Sequence, residues 1–263
     1  TKTPGRAEAV VFVSCDGETE TDGIISGTAL SLQRAGRKVL IVNMDSGTNP
    51  EGSQTPRALK GMESDSVVIH KTPQGLEQLR GVQKAVFPPA HGAHNEILDA
   101  LEEVESRYEL MFTKTGYIVG CRQMNVLRAA DRVVIVVSGK EESVFQAYAL
   151  LKDLARTGHA EQVSILICGC RHAADGQRIF DRIASTAYRR LGARLNFLGA
   201  IQYHSFSEND FCFRQDRIDG LADGSGTVEF KRITGNNIWN NDLKRKKMRK
   251  RSFFRKIAFS GGI

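Results

Sequence analysis

The 263-residue chain has an ordinary globular composition, with 41% hydrophobic and 25% charged residues, which excludes wholesale disorder, collagen and coiled coil. No run of about 18 apolar residues occurs, so no segment is expected to span a bilayer. The first residues lack the apolar stretch of a secretory signal. The net charge of +7 is concentrated in residues 244–263, named here the basic tail, which hold nine basic residues and no acid. The remaining residues are slightly acidic and give no reason to expect nucleic-acid binding.

Five cysteines are spread over the chain, and only Cys168 and Cys170 lie close together. A single C-x-C pair is a weak metal signal, and this pair ends an apolar run. We therefore expect Cys168 to be a buried free thiol, and the compartment to be reducing and cytosolic.

Short Val/Ile/Leu-rich runs alternate with segments of helical spacing along the chain. In order, the pattern predicts strand 9–13, helix 24–35, strand 38–45, helix 96–107, strand 108–116, helix 125–130, strand 132–138, helix 142–158, strand 162–170, helix 176–192 and strand 195–201. Residues 57–93 give no clear pattern. Unbroken apolar strands that alternate with helices are typical of an α/β fold with a doubly wound, mostly parallel sheet.

The loop after the first strand, residues 14–23, is the expected ligand-binding position in such a sheet. A phosphate-binding loop needs glycines for close backbone approach, with Lys and Ser/Thr for phosphate and magnesium. Four carboxylates stand there instead: Asp16, Glu18, Glu20 and Asp22. Each would repel a bound phosphate by about 1 kcal/mol or more. The loop is thus predicted to be a capping or solvated acidic loop, with metal binding by the four acids as an alternative.

The order of these segments resembles the MinD/ParA group of deviant P-loop ATPases, and within it the FlhG-type regulators of flagellar number. The likeness runs from about residue 9 to residue 221. Its most specific part is AADRVVIVVSGKEESVFQAYALLKDL (129–154), supported by GRKVLIVNMDSG (36–47) and LNFLGAI (195–201). The resemblance implies a P-loop NTPase-like fold, with ATP and Mg²⁺ as ligands.

The nucleotide-binding residues of the family are mostly replaced. Set against the family loop S-G-K-G-G-V-G-K-T-T, the signature lysine falls on Asp16 and the P-loop lysine on Thr21. The magnesium-binding threonine falls on Asp22, and Gly17 matches a loop glycine.

Other motifs of the family are kept in part. Of the D-x-D motif only Asp45 remains, matching the residue that positions the attacking water, and it is the one vestigial catalytic candidate. The aspartate of D-T-G falls on Lys114, and the adenine-reading asparagine falls on Cys168. The remaining positions of the former nucleotide site are Asn43, Thr115 and Gly116.

The chain is accordingly divided into a MinD/FlhG-like domain (1–221), a linker (222–243) and the basic tail (244–263). Similar family members end in an amphipathic helix that binds membranes. The predicted membrane-binding residues of the tail are Lys250, Arg251, Phe253, Phe254, Arg255, Lys256 and Ile257. Basic residues would attract an anionic surface and the apolar stripe would insert into it.

Together these features favour a non-catalytic, membrane-associated spatial regulator or scaffold in the cytoplasm, on the inner face of the cell membrane. It would need no cofactor and would act on flagellar, polar or secretion machinery, or with an active paralogue. One alternative is a working ATPase in which Asp45 positions water and Lys114 contacts phosphate. Another is a ParA-like nucleic-acid binder that uses the basic tail. His91 and His94 are read as loop residues and not as metal ligands.

Overall fold

The computed structural model describes residues 6–15, 21–44, 57–58, 67–82, 86, 95–115, 120–202 and 252–259. The strands are β1 (Glu8–Ser14), β2 (Val39–Val42), β3 (Arg57–Ala58), β4 (Val68–Lys71), β5 (Glu77–Arg80), β6 (Leu110–Thr115), β7 (Arg132–Ser138), β8 (Val163–Cys170) and β9 (Asn196–Gln202). The helices are α1 (Thr21–Arg34), α2 (Asn95–Ser106), α3 (Cys121–Ala129), α4 (Glu141–Arg156), α5 (Ala173–Leu191) and α6 (Phe253–Phe259), with a 3₁₀ turn at Ala160–Gln162.

In the described part of the chain the strands form one sheet, in the order β3-β4-β5-β2-β6-β1-β7-β8-β9. β1 lies between β6 and β7 and is parallel to both. β4 runs antiparallel to its neighbours β3 and β5. The predicted doubly wound, mostly parallel sheet is therefore confirmed.

Alternate side chains of each central strand enter two separate cores, one on each face of the sheet. Val11 and Val13 of β1 pack into the larger core, together with apolar residues of α2, α3, α4, α5 and α6. Val10 and Phe12 point to the other face, where α1 packs on them. The Phe12 ring meets Phe112 of β6 edge-on, with ring centroids 5.2 Å apart. Because both faces are buried, these strands consist almost entirely of apolar residues.

The predicted strands and helices outside residues 57–93 are confirmed, with boundaries that differ by a few residues. Within 57–93 the structure has β4 and β5, a hairpin that the sequence pattern missed. Its turn is closed by Thr72, whose backbone N–H donates to Leu76 O and whose Oγ1 accepts the Leu76 N–H. Gly75 adopts the positive φ of 85° that this turn requires.

Helix α6 lies within the predicted basic tail and packs against the domain. The side chains of the predicted apolar stripe, Phe253, Phe254 and Ile257, are all buried in the larger core. They pack against α2 and α3. Of the other predicted tail residues, Arg255 and Lys256 form ion pairs with the body, while Lys250 and Arg251 lie outside the described residues. The linker 222–243 also lies outside them.

Candidate functional site

The candidate site lies at the carboxyl edge of the central strands, where α1 begins. Parallel pairing brings the last residues of β1 and β6 side by side, with Phe12 opposite Lys114 and Val13 opposite Thr115. α1 starts at Thr21, on the face of the sheet to which Phe12 and Phe112 point. Lys114, two residues after Phe112, extends on that same face because strand side chains alternate.

One ion pair closes this edge of the sheet. Lys114 Nζ lies 2.8 Å from Asp22 Oδ2, and it joins the end of β6 to the first turn of α1. The Asp22 carboxylate is 77% exposed and the Lys114 side chain 31% exposed. A carboxylate in the first turn also complements the positive end of the helix. The protein thus supplies its own anion at the helix terminus where a phosphate would bind.

The other predicted site residues divide between structural roles and undescribed positions. Thr21 is buried at the start of α1. Asn43 follows β2, and its backbone N–H donates to Leu79 O at 2.8 Å. Thr115 is buried, and its hydroxyl has no hydrogen-bond partner among the described residues. Cys168 is a buried thiol 3.5 Å from the carbonyl of Val137. Asp16, Gly17, Asp45 and Gly116 lie outside the described residues.

These residues do not fit the magnesium–nucleotide ligand set that the resemblance implies. Two positions expected to face the metal, Asp22 and Lys114, carry a carboxylate and an ammonium that pair with each other. Thr21 has no cationic group with which to hold a phosphate. In this structure the ammonium of Lys114 lies against the Asp22 carboxylate.

A second polar cluster, which the sequence analysis missed, lies where α6 packs against α2. Glu105 has a fully buried side chain in the larger core, and it forms an ion pair with Arg6. Burial raises the pKa of Glu105 to about 7, although Arg6 and the Phe253 N–H oppose this effect. Helical spacing contained a signal, since residue 105 lies four positions after buried Leu101 and seven after buried Leu98.

The described residues contain no group of three or more His, Cys, Asp or Glu side chains placed to hold a metal ion. The alternative of a metal held by the four loop acids lies mainly outside the described part of the chain. Cys15, Cys168 and Cys170 are buried and form no disulfide among the described residues, as expected for Cys168. None of the described helices is both long enough and apolar enough to cross a membrane.

No model of a known protein family matches this chain. Among curated proteins it is similar to the antiactivator FleN of Pseudomonas aeruginosa, with 23% identity over 66% of this chain and 66% of FleN. The matched part thus spans just under two thirds of that relative. It is also similar to the flagellum site-determining protein YlxH of Helicobacter pylori, with 25% identity over 76% of this chain and 71% of YlxH.

Solved structures show the same fold. A chain of the MinC:MinD cell division protein complex of Aquifex aeolicus matches with a TM-score of 0.58 and 15% identity, over 89% of this chain and 96% of that one. The pNOB8 ParA bound to nonspecific DNA matches with a TM-score of 0.59 and 12% identity, over 89% of this chain and 99% of that chain. MinD of Pyrococcus horikoshii with Mg-ADP matches with a TM-score of 0.55 and 12% identity, over 90% of this chain and 99% of that chain.

The fold and the two flagellar relatives agree with the motifs quoted from the sequence. The chain has the fold of the MinD and ParA structures, and in sequence it is similar to two flagellar regulators, FleN and YlxH.

Proposed function

We propose that this chain is an FlhG-like spatial regulator that works through protein–protein contacts and without an ATP-driven cycle. Its partner would belong to flagellar, polar or secretion machinery, or would be an active paralogue. The names of the two curated relatives, an antiactivator and a flagellum site-determining protein, support a regulatory role.

The pair between Lys114 and Asp22 carries the proposal. A triphosphate at the start of α1 would have to displace the Asp22 carboxylate or lie beside it. Each such pair of like charges costs about 1 kcal/mol or more near a protein surface. Magnesium would meet the Lys114 ammonium at a position where the resemblance implies a carboxylate ligand. Both effects oppose Mg²⁺-ATP binding.

The test is calorimetric titration of the full chain with ATP and with ADP, with and without Mg²⁺, at nucleotide concentrations near millimolar. We expect no saturable heat in any arm. The variant Lys114→Met removes the site's cation, and Lys152→Met, an exposed lysine on α4, is its matched control. Micromolar binding that Lys114→Met weakens and Lys152→Met preserves would overturn the proposal.

That outcome would establish the second candidate, an ATP-binding regulator with atypical residues. The solved MinD structure with Mg-ADP favours it, because the fold is the same and the matched chain holds this cofactor. In that case Lys114 would contact phosphate after leaving Asp22. Nucleotide-dependent dimerisation, seen as a shift in gel filtration, would then be expected as well.

Membrane association is the part of the proposal that places the regulator at the cytoplasmic face of the cell membrane. It rests on the basic tail and on the aromatic stripe of α6. In the docked arrangement that stripe is buried, so α6 must leave the body before it can insert. Liposome flotation of the full chain tests this step, with vesicles of anionic and of neutral lipid.

We expect flotation with anionic vesicles only. The variant Phe253→Ser with Phe254→Ser should abolish it, whereas Phe145→Ser, an exposed aromatic on α4, should not. If the full chain does not float, the membrane proposal is wrong. A DNA affinity that falls steeply with salt in the same buffers would instead support the ParA-like alternative.

A further inference from the structure

The C-terminal helix is joined to the body by a buried carboxylate. The backbone N–H of Phe253, the first residue of α6, donates to the Glu105 carboxylate, with N···O distances of 3.1 Å to Oε2 and 3.4 Å to Oε1. Ser252 precedes it and accepts the Arg255 N–H at 3.1 Å through its side-chain oxygen. Two backbone N–H groups in the first turn of α6 are thus hydrogen-bonded, one by the Ser252 hydroxyl just before the helix and one by a carboxylate of α2.

Charged groups from three other elements surround Glu105. Arg6, just before β1, forms an ion pair with it. Asp131, before β7, lies 3.7 Å from an Arg6 nitrogen, and its Oδ1 lies 3.7 Å from Lys256 Nζ of α6. Lys256 also donates to the carbonyl of Ala129 at 3.2 Å.

The rim of the same contact carries further ion pairs. Arg255 of α6 pairs with Asp99 and Glu102 on the exposed side of α2. Three cations and three further carboxylates therefore lie around this contact. Glu105, whose side chain is 1% exposed, is the most deeply buried of these seven groups. Removal of α6 would hydrate it.

We propose that docking of α6 is coupled to proton binding at Glu105, so that the helix is held most tightly in acidic solution and detaches more readily as the pH rises toward neutrality. The helix covers a carboxyl group that water would otherwise solvate. An ionised Glu105 is penalised in the docked state, whereas a hydrated Glu105 is not.

The direction of the pH effect depends on which state, docked or undocked, holds the Glu105 proton more tightly. Burial raises the pKa of docked Glu105 from 4.5 to about 7, and the exposed carboxyl returns toward the lower value. At a pH below 4.5, Glu105 is protonated in both the docked and the undocked state, so pH has no effect on docking through this group. Between the two values only the undocked state ionises, so docking weakens as the pH rises; above about 7 the effect is complete. The difference limits the change in the docking equilibrium to about 300-fold.

Burial lowers the pKa of Lys256, which acts with the opposite sign because the docked helix then holds that proton less tightly. A variant at Glu105 separates the two groups, since Lys256 remains in place. Glu105→Gln is suitable because its amide oxygen can still accept the Phe253 N–H.

The experiment is hydrogen–deuterium exchange of the full chain between about pH 5 and about pH 8, with protection factors corrected for intrinsic exchange. We expect protection of the α6 amides to fall at least tenfold over this range in the natural chain. It should stay nearly constant in Glu105→Gln, and Glu103→Gln, an exposed α2 residue paired with Arg107, should behave as the natural chain does.

Protection of α6 that is independent of pH in the natural chain would overturn the proposal, and this result needs no variant to fold. Equal pH dependence in Glu105→Gln and the natural chain would overturn it too. The inference does not depend on membrane binding. If α6 detaches with rising pH and the protein still fails to float, the coupling stands and the membrane proposal falls.

Discussion

Two acid–base pairs, one at the carboxyl edge of the sheet and one beneath α6, have similar chemistry and different surroundings. Lys114 and Asp22 join β6 to α1 where water reaches both partners. Arg6 and Glu105 join the start of β1 to α2, and the Glu105 side chain is only 1% exposed. Burial raises the pKa of Glu105 to about 7.

The comparison shows that solvent exposure decides what an ion pair can do. Solvent-exposed pairs contribute about 0–1 kcal/mol, so the Lys114–Asp22 pair mainly sets which charges a ligand meets. A buried carboxylate must be paired or take up a proton. The cluster beneath α6 is therefore the one expected to respond to pH and to mutation.

The largest effect is expected from the apolar contact that covers the buried pair. Phe254→Ala removes a fully buried ring, and such truncations cost about 3–5 kcal/mol. We expect the α6 amides to lose almost all protection from hydrogen exchange. Urea unfolding of the sheet should change much less, because α6 can detach while the remaining core stays packed.

Phe145→Ala on α4 is the matched control, since this ring is 70% exposed. It should leave α6 protection unchanged. An equal loss of stability in α6 and in the sheet for Phe254→Ala would show that α6 unfolds only with the whole domain, and the contrast between the two regions would then disappear.

A smaller effect is expected when the cation is removed from the buried pair. Arg6 lowers the pKa of Glu105 both by its charge and by its hydrogen bond, against the stronger effect of burial. Arg6→Met should therefore move the midpoint of Glu105 protonation upward from about 7, by on the order of 1 pH unit. Carboxyl ¹³C NMR of selectively labelled protein measures this midpoint.

Arg37→Met is the control for that measurement, because Arg37 pairs with the half-exposed Glu109 and is not among the groups that shift the pKa of Glu105. It should not move the Glu105 midpoint. A downward shift in Arg6→Met would mean that water enters the cluster when Arg6 is lost, and burial would no longer explain the raised pKa.

The central sheet was predictable because its strands are buried on both faces and therefore consist of continuous apolar runs, such as Val133–Val137. The hairpin of β4 and β5 was not, since each of its strands is only four residues long and only partly buried, as in Glu77–Arg80. An apolar stripe on a helix indicates that this face is buried, but not whether a membrane or the protein itself buries it. Hence Phe253, Phe254 and Ile257 fitted a membrane equally well, although in the structure they pack against the domain itself.

For the candidate site, the sequence was enough to predict which family residues are replaced, but not which of the replacing side chains contact each other. The acid at Asp22 and the base at Lys114 are visible in the sequence, and the strand order puts them at one edge. That they pair with each other follows only from the position of α1 over β6, which brings Nζ within 2.8 Å of Oδ2. The role of Glu105 required the docked α6, a contact between residues 148 positions apart.

The smallest effect is expected at the exposed pair, where it is also the most informative. Lys114→Met, Asp22→Asn and the double variant form a double-mutant cycle in urea unfolding. We expect a coupling energy of about 0.5 kcal/mol that vanishes at high salt, since screening removes an exposed pair. A coupling above about 2 kcal/mol would mean that the pair is sealed from water like the one beneath α6. The edge of the sheet would then be a closed structural contact with no room for a phosphate. A coupling near zero would instead leave Lys114 available to an anionic ligand at little cost, and the calorimetric titration with nucleotide would become the decisive measurement.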